Sequence, residues 1–183
     1  MKRLICWLLA AVVMSAVHMT PARAEDEPRS TLYVKRIEDL PENFILGMDV
    51  SSVLALEKSG VTYKNAAGET QDLFAILAEA GINLIRVRVW NDPYDAQGNG
   101  YGGGNNDLAA AVEIGRRAAQ YGLKLMVDFH YSDFWADPSK QMEPKAWKGM
   151  EVEEKAERLY AYTLESLNTL REGGAQVAMV QIG

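Results

Sequence analysis

Residues 123–130 read LKLMVDFH, and this octapeptide decides the fold. With the two-residue period of a strand, Leu123, Leu125, Val127 and Phe129 share one face, while Met126, Asp128 and His130 share the other. The run INLIRVRVW at 82–90 repeats the pattern: Ile85, Val87 and Val89 lie on one face, and Leu84, Arg86, Arg88 and Trp90 on the other. Each strand thus has an oily face suited to helices and a second face that turns polar towards its C-terminal end. That asymmetry suits a (β/α) barrel, in which helices cover the outside and a site is built at the C-terminal ends of the strands. An open doubly wound sheet, the runner-up, normally buries apolar residues on both faces.

Strand-like runs also occur at 44–50 (FILGMDV) and 177–182 (VAMVQI), where Asp49 and Gln181 are the corresponding polar-face residues. Helical patterns separate the four runs. Residues 70–80 (TQDLFAILAEA) begin at Thr70 as a candidate cap and end at Gly81, residues 107–121 begin at Asp107 and end at Gly122, and residues 151–172 stop at Gly173-Gly174. Strand, loop, helix, strand is the signature of βαβ units and a parallel sheet.

The N-terminus reads differently. Lys2 and Arg3, an apolar run from Leu4 to Val17 and the small-residue site Ala22-Arg23-Ala24 predict a cleavable secretory signal peptide over 1–24, cut after Ala24. Residues 25–43 form a polar N-terminal lead or linker, and the folded domain is expected over 44–183. The chain has 183 residues, 48% apolar and 24% charged, a globular composition. The leader holds three basic residues and no acid, which leaves 16 Lys and Arg against 25 Asp and Glu in the remainder. Nucleic acid and anionic membrane are therefore poor partners. The sole cysteine, Cys6, lies in the leader, so disulfides and thiolate metal sites are not expected in the mature protein. No other apolar run approaches the roughly 18 residues that span a membrane. A secreted or periplasmic product is predicted.

After the third strand, residues 131–138 (YSDFWADP) place Tyr131, Phe134 and Trp135 beside Asp133 and Asp137. Aromatic faces stack on the C–H faces of sugar rings and carboxylates accept hydroxyl hydrogen bonds; Trp90 and Trp147 enlarge the inventory. The bland alternative is that these rings merely cap the barrel top. For Arg86, Arg88 and Asp128 the alternative is an internal ion pair that fixes strand register, yet burying two guanidinium groups is costly without acids to compensate them. A role in polarising an anionic carboxylate is the preferred reading. His130, two residues after Asp128 on the same face, joins the candidate site; as a D-x-H metal pair it is a weak signal. The run Gly100-Tyr101-Gly102-Gly103-Gly104 lacks the ending of a phosphate loop and reads as a flexible loop. The residues alone lead to a secreted barrel protein with a sugar-like cleft.

The segments GMDVSSVLALEKSGVTYKN, IRVRVWNDP, DFHYSDFWADPSKQ and the closing QIG resemble the endo-β-1,4-galactanases of glycoside hydrolase family 53 across 44–183. The resemblance implies an α/β fold, the first half (about four βα units) of a (β/α)8 TIM barrel. It also implies a retaining two-glutamate mechanism on galactan or arabinogalactan side chains of pectin. Arg86, Arg88 and His130 correspond to supporting residues. Asp49, Trp90, Asp128, Tyr131, Asp133, Trp135, Asp137 and Trp147 are the expected substrate-binding residues. In the family QIG is followed at once by Asn-Glu, whose glutamate is the acid/base, and the nucleophile comes from the seventh strand. The segment is therefore expected to be truncated at the end of the fourth strand and inactive alone, from a monomeric parent. No cofactor is expected here, although calcium is possible in the missing C-terminal half. The alternative is a non-catalytic secreted galactan-binding protein.

Overall fold

The computed structural model describes residues 35 and 37–183. The expected signal peptide and most of the lead lie outside the described residues. One compact unit runs from Glu42 to Gly183. Its elements, in order, are β1 (Gly47–Asp49), α1 (Val53–Lys58), β2 (Tyr63–Lys64), β3 (Thr70–Gln71), α2 (Leu73–Glu79), β4 (Leu84–Val89), α3 (Leu108–Gln120), β5 (Lys124–Phe129), α4 (Val152–Glu172) and β6 (Val177–Ile182). A single 3-10 turn, Lys145–Trp147, precedes α4.

The main sheet has the order β1-β4-β5-β6, and every pair in it is parallel. Each new strand is added on the same side as the last, with no reversal of order. That progression is the mark of a barrel wall and removes the doubly wound alternative, whose ligand crevice requires a switch point. Ile85, Val87, Val89, Leu125, Val127 and Phe129 are all fully buried, in one core with Phe74, Leu77, Ile114, Ala118 and Leu170 from the helices. Burial of each such side chain is worth about 1.5–3 kcal/mol relative to exposure, so the oily face anticipated from the alternation anchors the fold. The other face of the sheet carries Arg86, aligned with Asp49 on β1 and with Met126 on β5.

The local start signals explain most helix limits. Asp107 caps α3, its Oδ1 accepting from the Ala110 N–H at 2.8 Å, and the Glu154 carboxylate accepts from the Glu151 N–H at 3.1 Å to open α4. The cap expected at Thr70 is corrected. Thr70 pairs with Lys64 in a two-stranded hairpin, and Asp72 caps α2 by accepting from the Phe74 N–H at 2.8 Å. The hairpin turns on Asn65, whose side-chain oxygen accepts from the N–H groups of Ala67 and Glu69, both at 3.0 Å. Helix α1, six residues long, is too short to display a helical period in sequence.

On the helical layer, Arg117 of α3 makes two bonds to the Glu57 carboxylate on α1, at 2.7 and 2.9 Å, and one to Asp72 at the start of α2, at 2.8 Å. Its guanidinium also lies 4.9 Å from the centre of the Phe74 ring. These acids hold the Arg117 pKa above its ordinary value, chiefly through the Glu57 bond and against the opposing effect of burial. One side chain thus joins three helices. Replacing Arg117 with Met should cost about 1–3 kcal/mol by stranding two carboxylates. Replacing Arg116, whose exposed partner is Glu113 on its own helix, should change stability by less than about 0.5 kcal/mol. Urea melts of the two variants give the comparison.

Candidate functional site

Four parallel strands bring one charged side chain and its partners together at their C-terminal ends. Arg86 of β4 donates through Nη1 to Asp49 Oδ2 on β1 and through Nη2 to Asp128 Oδ2 on β5. Its Nε donates to Gln181 Oε1 on β6 at 3.3 Å. The guanidinium is therefore bound by all three of the other strands. The arrangement follows from register, since Asp49 pairs with Arg86, and Asp128 pairs with both Arg88 and Gln181. Asp128 is only 1% exposed.

Asp49 is drawn in from its own side. Its Oδ1 accepts from the Ser51 N–H at 3.0 Å and from Ser51 Oγ at 2.7 Å, and Ser51 Oγ accepts in turn from the Arg88 N–H at 3.0 Å. Burial pushes the Asp49 pKa up, but the Ser51 bonds, the charge of Arg88 and the Arg86 bond outweigh it and hold the carboxyl below its usual value. Arg88 has a looser tie: an Nη lies 4.0 Å from Asp49 Oδ1 and its buried Nε has no partner. Its guanidinium instead sits 4.2 Å from the centre of the Trp135 ring, a cation–π contact.

His130 Nε2 is 3.1 Å from Asp128 Oδ2. Its Nδ1 receives two donors, the Trp90 indole N–H at 3.1 Å and the Ala136 backbone N–H at 3.2 Å. The aromatic residues of the loop gather on this point: Trp90 lies 4.9 Å from Phe134 and 5.6 Å from Trp135, ring centre to ring centre. A cleft of about 700 Å³ opens alongside, lined by His130, Tyr131, Asp137, Trp147 and Gln181 among others.

The sequence-predicted residues fall into distinct places. Trp135, 41% exposed, faces solvent, and the exposed Asp137 lines the cleft. Trp90 is fully buried, and Trp147, which borders the cleft, is 4% exposed and packs edge-on to Tyr162. Asp128 is buried as well, its Oδ2 accepting from Arg86 and facing His130 Nε2. Tyr131 stacks on Phe129 and pairs its hydroxyl with Thr163 on α4 at 3.0 Å, so it is turned towards the helix. Asp133 is committed to the backbone, accepting from the N–H groups of Asp92 at 3.1 Å and Lys145 at 2.8 Å. Asp137 closes a small turn by accepting from the Ser139 N–H and hydroxyl, bonds that lower its pKa.

Ser51, Asn106 and Lys145 were not anticipated. Asn106 is fully buried; its carbonyl accepts from the Trp90 N–H at 2.7 Å and its side chain donates to the Gly103 carbonyl at 2.9 Å. The glycine run is therefore not a loose loop but a cover over Trp90. A Cβ on Gly103 would stand 3.1 Å from the Trp90 ring, and one on Gly104 would stand 2.9 Å from the Ser51 carbonyl oxygen, both at positive φ. The Lys145 ammonium donates to the carbonyls of Asp92 and Tyr94 and pairs with the Asp92 carboxylate at 2.7 Å, tying the two loops together. Only the dipeptide Ser51-Ser52 after a strand ending in Asp49, and the pair Asn105-Asn106 after the glycines, hinted at any of this. Among the described residues, no group of three or more Asp, Glu, His or Cys could hold a metal, and no helix is long and apolar enough to cross a membrane.

The depressed pKa of Asp49 carries a sign. A carboxyl whose folded-state value lies below its unfolded value of about 4 contributes stability that is present above that pH and is lost as pH falls through the folded value. Asp49→Asn should therefore flatten the acid limb of a plot of Tm against pH between about pH 5 and 2, while lowering Tm near neutrality. Thermal melts across that range, read beside the parent protein, give the result; an acid limb of unchanged steepness would refute the assignment.

The profile of glycosyl hydrolase family 53 matches residues 45–183. The endo-beta-1,4-galactanase of Bacillus subtilis (strain 168) is 52% identical over 174 residues, which are 95% of this chain and 39% of that protein. The arabinogalactan endo-beta-1,4-galactanase of Humicola insolens is 44% identical over 137 residues, covering 75% of this chain and 39% of the relative. Among solved structures, the Ignisphaera aggregans GH53 catalytic domain superposes with a TM-score of 0.80 at 44% identity, covering 83% of this chain and 42% of that one. The chain thus spans about two fifths of the length of the relatives it matches. Its parallel sheet and helices make up part of a (β/α)8 barrel, and the chain belongs to glycosyl hydrolase family 53.

Proposed function

We propose that this chain is the N-terminal part of a secreted or periplasmic galactanase, with residues 1–24 as its signal peptide. The whole protein, a monomer, would hydrolyse β-1,4-galactosidic bonds in galactan and arabinogalactan side chains of pectin. The observation that carries the reading is the set of charges and rings at the strand ends: Arg86 bound by Asp49, Asp128 and Gln181, with Arg88 stacked beneath a solvent-facing Trp135. The galactanase names of the relatives support the same substrate.

The chemistry is double displacement. One carboxyl group protonates the leaving oxygen while a second, about 5–5.5 Å away, attacks the anomeric carbon, and water then releases the sugar. Both are proposed to be glutamates outside residues 44–183. The present residues supply the setting. Arg86 and Arg88 place positive charge at the barrel mouth, which favours the ionised form of a nearby nucleophile and supports charge as it develops. Trp135 offers its open surface to a sugar ring, and Asp137 offers carboxylate oxygens to its hydroxyls.

Two outcomes test this reading. The 183-residue chain by itself should release no reducing sugar from galactan, since neither glutamate is present; release surviving removal of host enzymes would refute the division of labour. In the full-length protein, Arg86→Ala or Arg88→Ala should lower kcat on the order of a hundredfold with smaller changes in KM. Trp135→Ala should instead raise KM on the order of tenfold through lost stacking. Steady-state kinetics on variants that retain a cooperative melt decide it, and an unchanged kcat in both arginine variants would overturn their role. If the full-length parent binds galactan without cleaving it, the non-catalytic alternative replaces the enzyme.

A further inference from the structure

We propose that Trp90 is a positioning residue that, together with the Ala136 N–H, holds His130 as its Nε2–H tautomer, so that one imidazole fixes the Asp128–Arg86 pair and the Trp135 loop in a single arrangement. The tautomer follows from the partners. An indole N–H and a backbone N–H can only donate, and both point at His130 Nδ1, at 3.1 and 3.2 Å. Nδ1 must therefore present its lone pair. The proton sits on Nε2, which faces Asp128 Oδ2 at 3.1 Å, an oxygen that already accepts from Arg86. With the proton on Nδ1, three N–H groups would converge on one point and Asp128 would lose a donor inside the protein.

The consequence reaches both sides of the imidazole. On one side, the Nε2–H and Arg86 Nη2 share Asp128 Oδ2, so the ring helps to fix the carboxylate against which the guanidinium is oriented. On the other, the Ala136 N–H belongs to the residue that follows Trp135, so the same lone pair docks the loop carrying the exposed ring. Trp90 is built for this task. It is fully buried, its backbone N–H is held by the Asn106 carbonyl at 2.7 Å, and Gly103 lies against its ring with no side chain between. A space-filling role alone would need the ring and not the indole N–H.

The catalytic meaning of this lock rests on the galactanase reading, whereas the lock itself can be measured without substrate. The chain contains two histidines, His18 and His130, so His18→Gln leaves one imidazole to observe. Imidazole 15N spectra of that chain should show a single Nε2–H tautomer, with a scalar coupling across the hydrogen bond from the Trp90 indole N–H to Nδ1. Trp90→Phe should abolish that coupling and shift the Nδ1 resonance, because one of the two donors to Nδ1 is lost while the Ala136 N–H remains, and Trp135→Phe, which only shrinks a neighbouring ring that makes no hydrogen bond to His130, should leave both unchanged. A protonated Nδ1 in the parent chain, or an unchanged Nδ1 resonance in Trp90→Phe, would overturn the proposal; if Trp90→Phe does not fold, the parent spectrum and its coupling decide alone. In the full-length enzyme, Trp90→Phe should lower kcat on the order of tenfold with KM little changed. An unchanged kcat beside an altered Nδ1 resonance would refute the positioning role. A parent without galactanase activity would instead refute the functional reading and leave the lock to the spectra.

Discussion

A guanidinium set into the face of a β-sheet is the constraint around which this structure is arranged. Desolvating such a cation costs several kcal/mol unless acids and acceptors meet it with good geometry. Arg86 meets that condition only because Asp49 stands level with it on β1 while Asp128 and Gln181 stand two residues further along on β5 and β6, within reach of its long side chain. Shifting any strand by one residue would turn its polar partner to the helical side and bring an apolar residue against the cation. The ion-pair network and the strand register thus specify each other. The reading as a register device and the reading as part of a site, posed as alternatives from sequence, describe one object.

Around that centre the loops are organised by groups that accept and donate on two sides at once. Ser51 links Asp49 to the backbone of β4, Asp133 links the loop after β4 to the loop after β5, and Lys145 bridges the same two loops through carbonyl oxygens. These bonds free Trp135 and Asp137 to face outward on a fixed support. Rigidity beneath an exposed ring is what a sugar-stacking surface requires, because an aromatic side chain that must first be ordered gives up part of its binding energy.

The fold was legible because its oily strand faces repeat with period two over six or more residues, and the long helices carry their caps and glycine stops in sequence. The two-residue strands around Asn65 and the six-residue α1 lie below the length at which any period can be read. Within the site, Arg86, Asp128, His130 and Gln181 could be grouped from alternation alone, since they lie on regular strands. Loop residues resisted the same treatment. Nothing local distinguishes Trp135, which is exposed, from Trp90 and Trp147, which are buried, because burial there is set by packing against Gly103 in one loop and against Tyr162 of α4. The carboxylate of Asp133 looked like a ligand for hydroxyls for the same reason: its backbone partners belong to other loops.

The sequential strand order also bears on how the chain is made. Because every strand joins the growing edge of the sheet, its pairing partner is always the strand laid down one unit earlier, so each addition can follow synthesis from the N-terminus. Arg86 enters this process with its first acid already in place, for Asp49 precedes it by 37 residues. Asp128 follows 42 residues later and Gln181 95 residues later. The cation is therefore never the first member of its cluster to leave the ribosome, and each later strand arrives at a charge that an earlier one has begun to neutralise.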